Sequence, residues 1–218
     1  SPVDIILRDE IDGIGAFLAS DITRNLSINS GSENNTDAFT SGSTQGTSNI
    51  NLRGLGLSST LVLIDGRRQT VTGATANDGS VFVNTSAIPL IAIQRVEVLK
   101  EGAASIYGSD AVAGVVNYIF RRGFEGFELD ISDKRTEKGN QKDQSISFIL
   151  GNQSNSLQWV LAASALNRTA MQGALKPELS QLAVSGLGNS FLLFGPSEVS
   201  RGPYEGTYSA FENVPDAN

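Results

Sequence analysis

The chain has 218 residues, no cysteine, no histidine, 23 glycines and a formal net charge of −7. Without cysteine there is neither a disulfide framework nor a thiolate nucleophile. Without histidine, a Ser-His-Asp triad and a His-ligated zinc site are both impossible. The acidic balance argues against a nucleic-acid partner, which needs a basic stripe to displace phosphate counterions.

Residues 3–7, VDIIL, read as a short strand. Ile11, Ile14, Phe17, Leu18 and Ile22 follow at near-helical spacing, which predicts a helix within 9–26 capped by Asp9 or Asp12. Gly13 and Gly15 weaken its first turns and move its firm start toward Ile14. Residues 29–48 then turn to Ser, Thr, Asn, Gly and Gln, a loop of the length that is usually functional or disordered. Ile50 and Leu52 alternate with polar neighbours and predict a short strand that stops at Gly54-Leu55-Gly56.

Thr60–Ile64 is β-branched and apolar throughout, as in a strand buried on both faces. Asp65-Gly66 closes it with a turn signal, and 69–80 form a second polar loop. Ser86 is expected to cap a short helical turn with Pro89 in its first turn. Ile93–Leu99 predicts a central strand, with Ile93, Arg95, Glu97 and Leu99 on one side and Gln94, Val96 and Val98 on the other. Residues 102–113 are rich in small side chains, predicting a helical turn packed very close to a sheet. Residues 115–120 give a last strand, ended by Arg121-Arg122-Gly123.

After Gly123 the texture changes. Phe127, Leu129 and Ile131 alternate with acidic and hydroxyl residues, and a charged loop, DKRTEKGNQKD, follows. Ile146, Phe148 and Leu150 alternate next; a turn at 151–155 leads into Leu157, Trp159, Leu161, Ala163 and Ala165. Segments of about ten residues with alternating polarity, joined by one long and one short connection, are the pattern of a transmembrane β-barrel. An ordinary half-buried antiparallel sheet gives the same alternation, so both readings stay open on these residues alone. Residues 167–218 carry almost no period and read as a long surface loop or a frayed end.

No run of about 18 apolar residues encodes a transmembrane helix. Gly54-Leu55-Gly56 leads into another strand and no G-K-[ST] occurs, so the glycine clusters read as tight turns rather than phosphate loops. Ser105-Ile106-Tyr107 beside Lys100 is the one cluster with a nucleophilic group, and small residues in a packed turn explain it better.

In order, Leu52-Arg53-Gly54, the run Leu61–Arg67 (LVLIDGR), Ile88-Pro89 and the run Arg95–Asn117 (RVEVLKEGAASIYGSDAVAGVVN) resemble the plug domain of TonB-dependent outer-membrane receptors. The resemblance is close over 1–123 and general over 124–170. It implies an α+β fold: a small mixed β-sheet plug with short helices over 1–123, followed over 124–218 by antiparallel strands that open a transmembrane β-barrel with a long outer loop. Family barrels have about 22 strands, so a chain supplying three is expected to be the N-terminal part of a longer receptor.

The resemblance further implies gated uptake of a scarce nutrient such as a siderophore or carbohydrate, in the outer membrane of a Gram-negative bacterium. The expected partners are TonB, through a segment upstream of Ser1, the receptor's own barrel, and a small nutrient ligand; no cofactor, metal or catalysis is expected. Arg53, Arg67, Arg95, Arg121 and Arg122 sit among Asp65, Glu97, Glu101 and Asp110. Of these, Arg53, Arg67, Arg95 and Glu97 are the candidate plug–barrel contacts. The loops 29–48 and 67–82 are the candidate ligand surface, with Asn34, Asn35, Gln45, Arg68, Gln69, Asn77 and Asp78 for hydrogen bonding and Phe39 and Phe82 for stacking. Two other classes remain: a soluble plug-like binding module without transport, and a carboxylate-based enzyme, for which no suitably paired acids are evident.

Overall fold

The computed structural model describes residues 3–30, 46–76, 78–101, 103–136, 141–154 and 157–169, together with four short strands beyond. These fall into two compact units, 1–135 with 142–169, and 136–141 with 170–218.

The first unit is built on a five-stranded mixed sheet of Val3–Leu7 (β1), Thr60–Ile64 (β2), Arg67–Arg68 (β3), Ile93–Leu99 (β4) and Gly114–Phe120 (β5), in the order β1-β4-β5-β2-β3. All pairings are antiparallel except β2 with β5, which run parallel from Thr60↔Gly114 to Ile64↔Tyr118. The expected central strand, β4, is interior, flanked by β1 and β5. Its two-sided alternation fails at one point. The register slips between Ile93 and Arg95, and this bulge brings Ile93 into the same fully buried cluster as Val96 and Val98.

One face of the sheet carries the main core, where Val62, Val96, Val98, Val116 and Tyr118 pack with Ile11, Ile22, Ile50, Leu52 and Ile88. Each such buried aliphatic side chain contributes about 1.5–3 kcal/mol of transfer free energy. The expected single helix is instead two, Arg8–Gly13 (α1) and Ala19–Arg24 (α2), with Gly15 at φ 61 in the elbow between them. Neither Asp9 nor Asp12 caps. Glu10 accepts the Leu7 N–H at 3.0 Å, and Asp21 accepts those of Phe17 and Leu18 at 2.9 Å, so the carboxylates reach back from inside the first turn. Asp12 pairs with Arg8 at 2.9 Å.

The expected strand at 50–52 is only an isolated bridge, Asn29↔Leu52, with Ile50, Asn51 and Leu52 all buried. The 85–87 turn is capped by Asn84, not Ser86: its side-chain oxygen accepts the Ser86 N–H at 3.0 Å and the Ser48 N–H at 3.1 Å. Pro89 precedes a second turn, Leu90–Ala92.

The opposite face is covered in part. Ala104–Tyr107 (α3) and the following turn lay Ala103 and Ala111 against Leu61, Leu63 and Val115, a close approach that small side chains permit.

A separate antiparallel sheet follows: Gly126–Arg135 (β6), Lys142–Gln153 (β7) and Gln158–Arg168 (β8). The strands run into what the sequence suggests is charged loop, since Asp133, Lys134 and Arg135 pair with Gln144, Asp143 and Lys142. At the other end the turn is short, with the Ser154 N–H bonded to the Leu157 carbonyl at 2.8 Å.

In the second unit, Phe191–Leu192 (β9) pairs with Asn213–Val214 (β12), and Ser197–Val199 (β10) with Gly206–Tyr208 (β11), so part of the segment read as loop is paired strand.

Candidate functional site

The register of β6–β8 sorts its side chains into two faces. Across the three strands, the rows Phe127–Leu150–Leu161, Leu129–Phe148–Ala163 and Ile131–Ile146–Ala165 share one face. The rows Glu128–Ile149–Ala162, Asp130–Ser147–Ser164 and Ser132–Ser145–Leu166 share the other. A half-buried soluble sheet turns its apolar face to the core. Here the opposite holds: Phe127 is 63% exposed, Ile131 70% and Leu161 54%, while the polar face looks toward α1, the 15–18 elbow and the 86–91 turns across a cleft of about 600 Å³.

The apolar face is bounded by Trp159 at the short-turn end and by the polar row Asp133–Gln144–Asn167 at the other. The eight steps along β8 from Trp159 to Asn167 measure roughly 27 Å at ~3.4 Å per residue. A tilt of about 40° reduces this to roughly 21 Å, near the ~25 Å apolar band of outer-membrane barrels, with Trp159 where an interfacial aromatic belongs.

The five-stranded sheet and this three-stranded sheet are joined through the segment after β5. Arg121 leaves β5 with its backbone N–H on the Ala92 carbonyl at 2.8 Å, and its guanidinium bonds Glu128 on the polar face of β6 at 2.8 Å. The same guanidinium lies 4.6 Å from the centroid of the Phe124 ring. Gly123, at φ 70, passes the β7–β8 turn so closely that a Cβ would stand 3.1 Å from the Gln158 amide and 3.2 Å from that of Gln153. Gly151 is tighter still, since a Cβ there would run into the Phe124 carbonyl oxygen. Arg8 braces the turn behind the junction, donating to the carbonyls of Leu90 at 2.9 Å and Ile93 at 3.2 Å. The sequence lists Arg121 among many charges, but nothing in it pairs Arg121 with Glu128 or singles out Arg8 and Gly151; alternation alone places Glu128 on the polar face.

Of the candidate wall contacts, Arg95 and Glu97 lie on the sheet face away from the main core. Arg95 bonds Glu97 at 2.8 Å, and Glu97 accepts from the Asn117 amide at 3.1 Å. Ile5 and Leu7 flank this trio on β1 and are exposed. Arg67 sits exposed in the β2–β3 hairpin. Arg53 is engaged within the sheet unit itself, on the Lys100 carbonyl at 2.5 Å and near Glu101 at 3.6 Å.

Of the candidate ligand residues, Asn34, Asn35, Phe39, Gln45 and Asn77 lie outside the described residues. Phe82 cannot stack on a ligand as expected, because it is buried against Leu57 and Ala76. Arg68 is held by Asp110 at 2.6 Å and by the Tyr107 carbonyl. Gln69 turns back onto the Arg67 carbonyl at 3.0 Å. Asp78 accepts the Ser80 hydroxyl and N–H, and these bonds hold its carboxyl below the ordinary carboxylate range. No group of three or more acidic side chains among the described residues is placed to hold a metal ion.

A mixed-sheet domain thus lies against three antiparallel strands whose polar face turns toward it and whose apolar face turns away. The family model of the TonB-dependent receptor plug domain matches residues 1–115, and the chain belongs to that family. The iron-regulated outer membrane virulence protein of Vibrio cholerae serotype O1 is 43% identical over 77 residues, covering 35% of this chain and 12% of that protein. A ferric enterobactin receptor mutant from Pseudomonas aeruginosa, in complex with enterobactin, superposes with a TM-score of 0.59 at 21% identity, over 82% of this chain and 26% of that one. The ferric citrate transporter FecA, unliganded, gives 0.58 at 23% identity, over 77% and 25%. At these identities the structural likeness concerns the fold, and the chain spans well under two thirds of each relative's length.

Proposed function

We propose that the chain is the gate of an outer-membrane receptor for active uptake of a scarce nutrient, and not a catalyst. The plug occupies 1–123 and the barrel begins at 124. The observation that carries this reading is the inverted polarity of β6–β8, apolar side chains outward and hydroxyl and acidic ones toward the plug. A soluble plug-like module would have no use for that face, which would invite aggregation.

In this reading the wall of the barrel covers the sheet face bearing Arg95, Glu97, Asn117, Ile5 and Leu7, and Arg67 lies at its margin. Polar, hydrated contacts suit a plug that must let go, since they exchange for water at small net cost whereas a wide apolar interface does not. Ligand meets the loops 29–48 and 67–82, with Arg68, Gln69 and Asp78 at their described parts. TonB engages a segment upstream of β1 and draws part of the plug aside. The names of the relatives favour a ferric siderophore as the nutrient class.

Membrane fractionation of source cells with an antibody to this polypeptide, together with growth of a deletion strain on ferric siderophores under iron limitation, tests the proposal. It expects a heat-modifiable outer-membrane band much larger than this chain and impaired growth on at least one chelate. A soluble band of this chain's own size with unchanged growth would overturn it.

A further inference from the structure

Arg53 is one of two non-glycine residues among those described with a positive φ, 59°; the other, Asp65, belongs to a hairpin turn. A long side chain in that region is strained and persists only where its surroundings hold it there. Its backbone N–H bonds the Ile28 carbonyl at 2.6 Å, beside a second bond from the Ser30 N–H to the Asn51 carbonyl at 3.0 Å. Its guanidinium reaches across to the Lys100 carbonyl at 2.5 Å. The ammonium of the same Lys100 grips Asp4 on β1 at 2.5 Å. Lys100 follows directly on β4, whose last residue, Leu99, pairs with Val3. The N-terminal strand and the turn joining 28–30 to 51–54 are therefore fastened to one residue, one through its side chain and the other through its carbonyl.

We propose that Arg53 and Lys100 form a latch that makes the release of β1 and the loosening of the 28–30/51–54 turn a single event. β1 is an edge strand of the five-stranded sheet and pairs there with β4. Stripping it removes Asp4, frees Lys100 to move, and so withdraws the acceptor that keeps Arg53 in its strained conformation. The coupling is reciprocal, as any coupling between two equilibria must be: a change that loosens the turn also weakens β1. The latch rests on the uptake reading for its purpose, because force on the chain ahead of β1 would then reach the turn from which the 31–45 segment departs.

The test is amide hydrogen exchange on the full-length receptor in detergent micelles, comparing Asp4→Asn, Arg53→Asn and the double variant with the unaltered protein. Asparagine tolerates a positive φ, so the second change removes the guanidinium while leaving the backbone an allowed conformation. Asp4→Asn should speed exchange at Ser30 and Arg53 as well as in β1, by about three- to tenfold, the scale of one charge-assisted bond with a half-exposed ion pair. Arg53→Asn should speed exchange in β1 by a similar factor, and the double variant should fall short of the product of the two. Effects confined to β1 for the first variant and to the turn for the second would overturn the latch. Because exchange is read without ligand or TonB, a latch present in a receptor that takes up nothing would refute the uptake reading and leave the latch standing.

Discussion

Gly114 opens β5 at φ 141, where a side chain is strained. A Cβ there would stand 2.6 Å from the Leu99 carbonyl oxygen and 2.8 Å from Leu52 Cδ1. The carbonyl cannot swing aside, because Leu99 is paired on both sides, with Val3 and with Val115. Leu52 has nowhere to go either, since it is fully buried in the main core. Gly114→Ala should therefore cost about 1–3 kcal/mol of backbone strain and about 1–3 kcal/mol of overpacking, roughly 2–6 kcal/mol together. Amide exchange in β5 of the intact receptor measures it: at about 1.4 kcal/mol per tenfold, exchange should accelerate about 30-fold or more. Gly79→Ala is the control, with φ 81 and nothing within 4 Å of the added Cβ, so it bears strain alone. Exchange in β5 within about threefold of the unaltered protein would refute the close-packing argument.

Arg121→Ala removes both the Glu128 bond and the contact with the Phe124 ring, and should cost about 1–2 kcal/mol at the junction, seen as faster chymotryptic cleavage at Phe120 or Phe124. Asn84→Ala leaves the Ser86 and Ser48 N–H groups without their acceptor and should destabilise the plug by about 1–2 kcal/mol in denaturant titration. Burial pushes the Tyr118 hydroxyl well above its ordinary range. Below pH of about 10 both folded and unfolded chains keep that proton; above it only the unfolded chain loses it, so stability falls by up to ~1.4 kcal/mol per pH unit. Tyr118→Phe should flatten that alkaline decline, and an unchanged slope would contradict it.

Four of the five strands of the plug sheet are legible as short apolar runs rich in Val and Ile, the clearest being Thr60–Ile64 closed by Asp65-Gly66, whereas Arg67–Arg68 carries no such pattern. What failed were features that depend on distant parts of the chain. The bulge after Ile93 shifts the phase of β4 by pairing with β5, and no local pattern announces it. The helix across 9–26 divides because Gly15 turns the chain, and its apolar spacing is met by two short helices over the same core. Phe82 looked available in a polar loop, yet Leu57, twenty-five residues earlier, covers it.

The candidate site divides in the same way. The motif places Arg95 and Glu97 on β4, and the structure adds their mutual bond and the Asn117 amide, which no local pattern announces. The alternation of 127–165 was plain in sequence, but its direction was not, because alternation is symmetric between a lipid-facing and a core-facing sheet. Only the plug, by occupying one side, tells the two faces apart.

That direction is also the most direct point of attack. These 218 residues hold no cysteine, so in a full-length protein whose remaining cysteines, if any, are replaced, single substitutions give one label each. Spin labels at Leu129, Phe148 and Leu161, and at Asp130, Ser147 and Ser164, in the full-length protein in lipid bilayers, would report collision with oxygen and with a water-soluble nickel chelate. The account predicts that the first three favour oxygen, as in hydrocarbon, and that the second three do not. Equal nickel accessibility at Leu129, Phe148 and Leu161 would mean that this face meets water, and the barrel-wall assignment would fall.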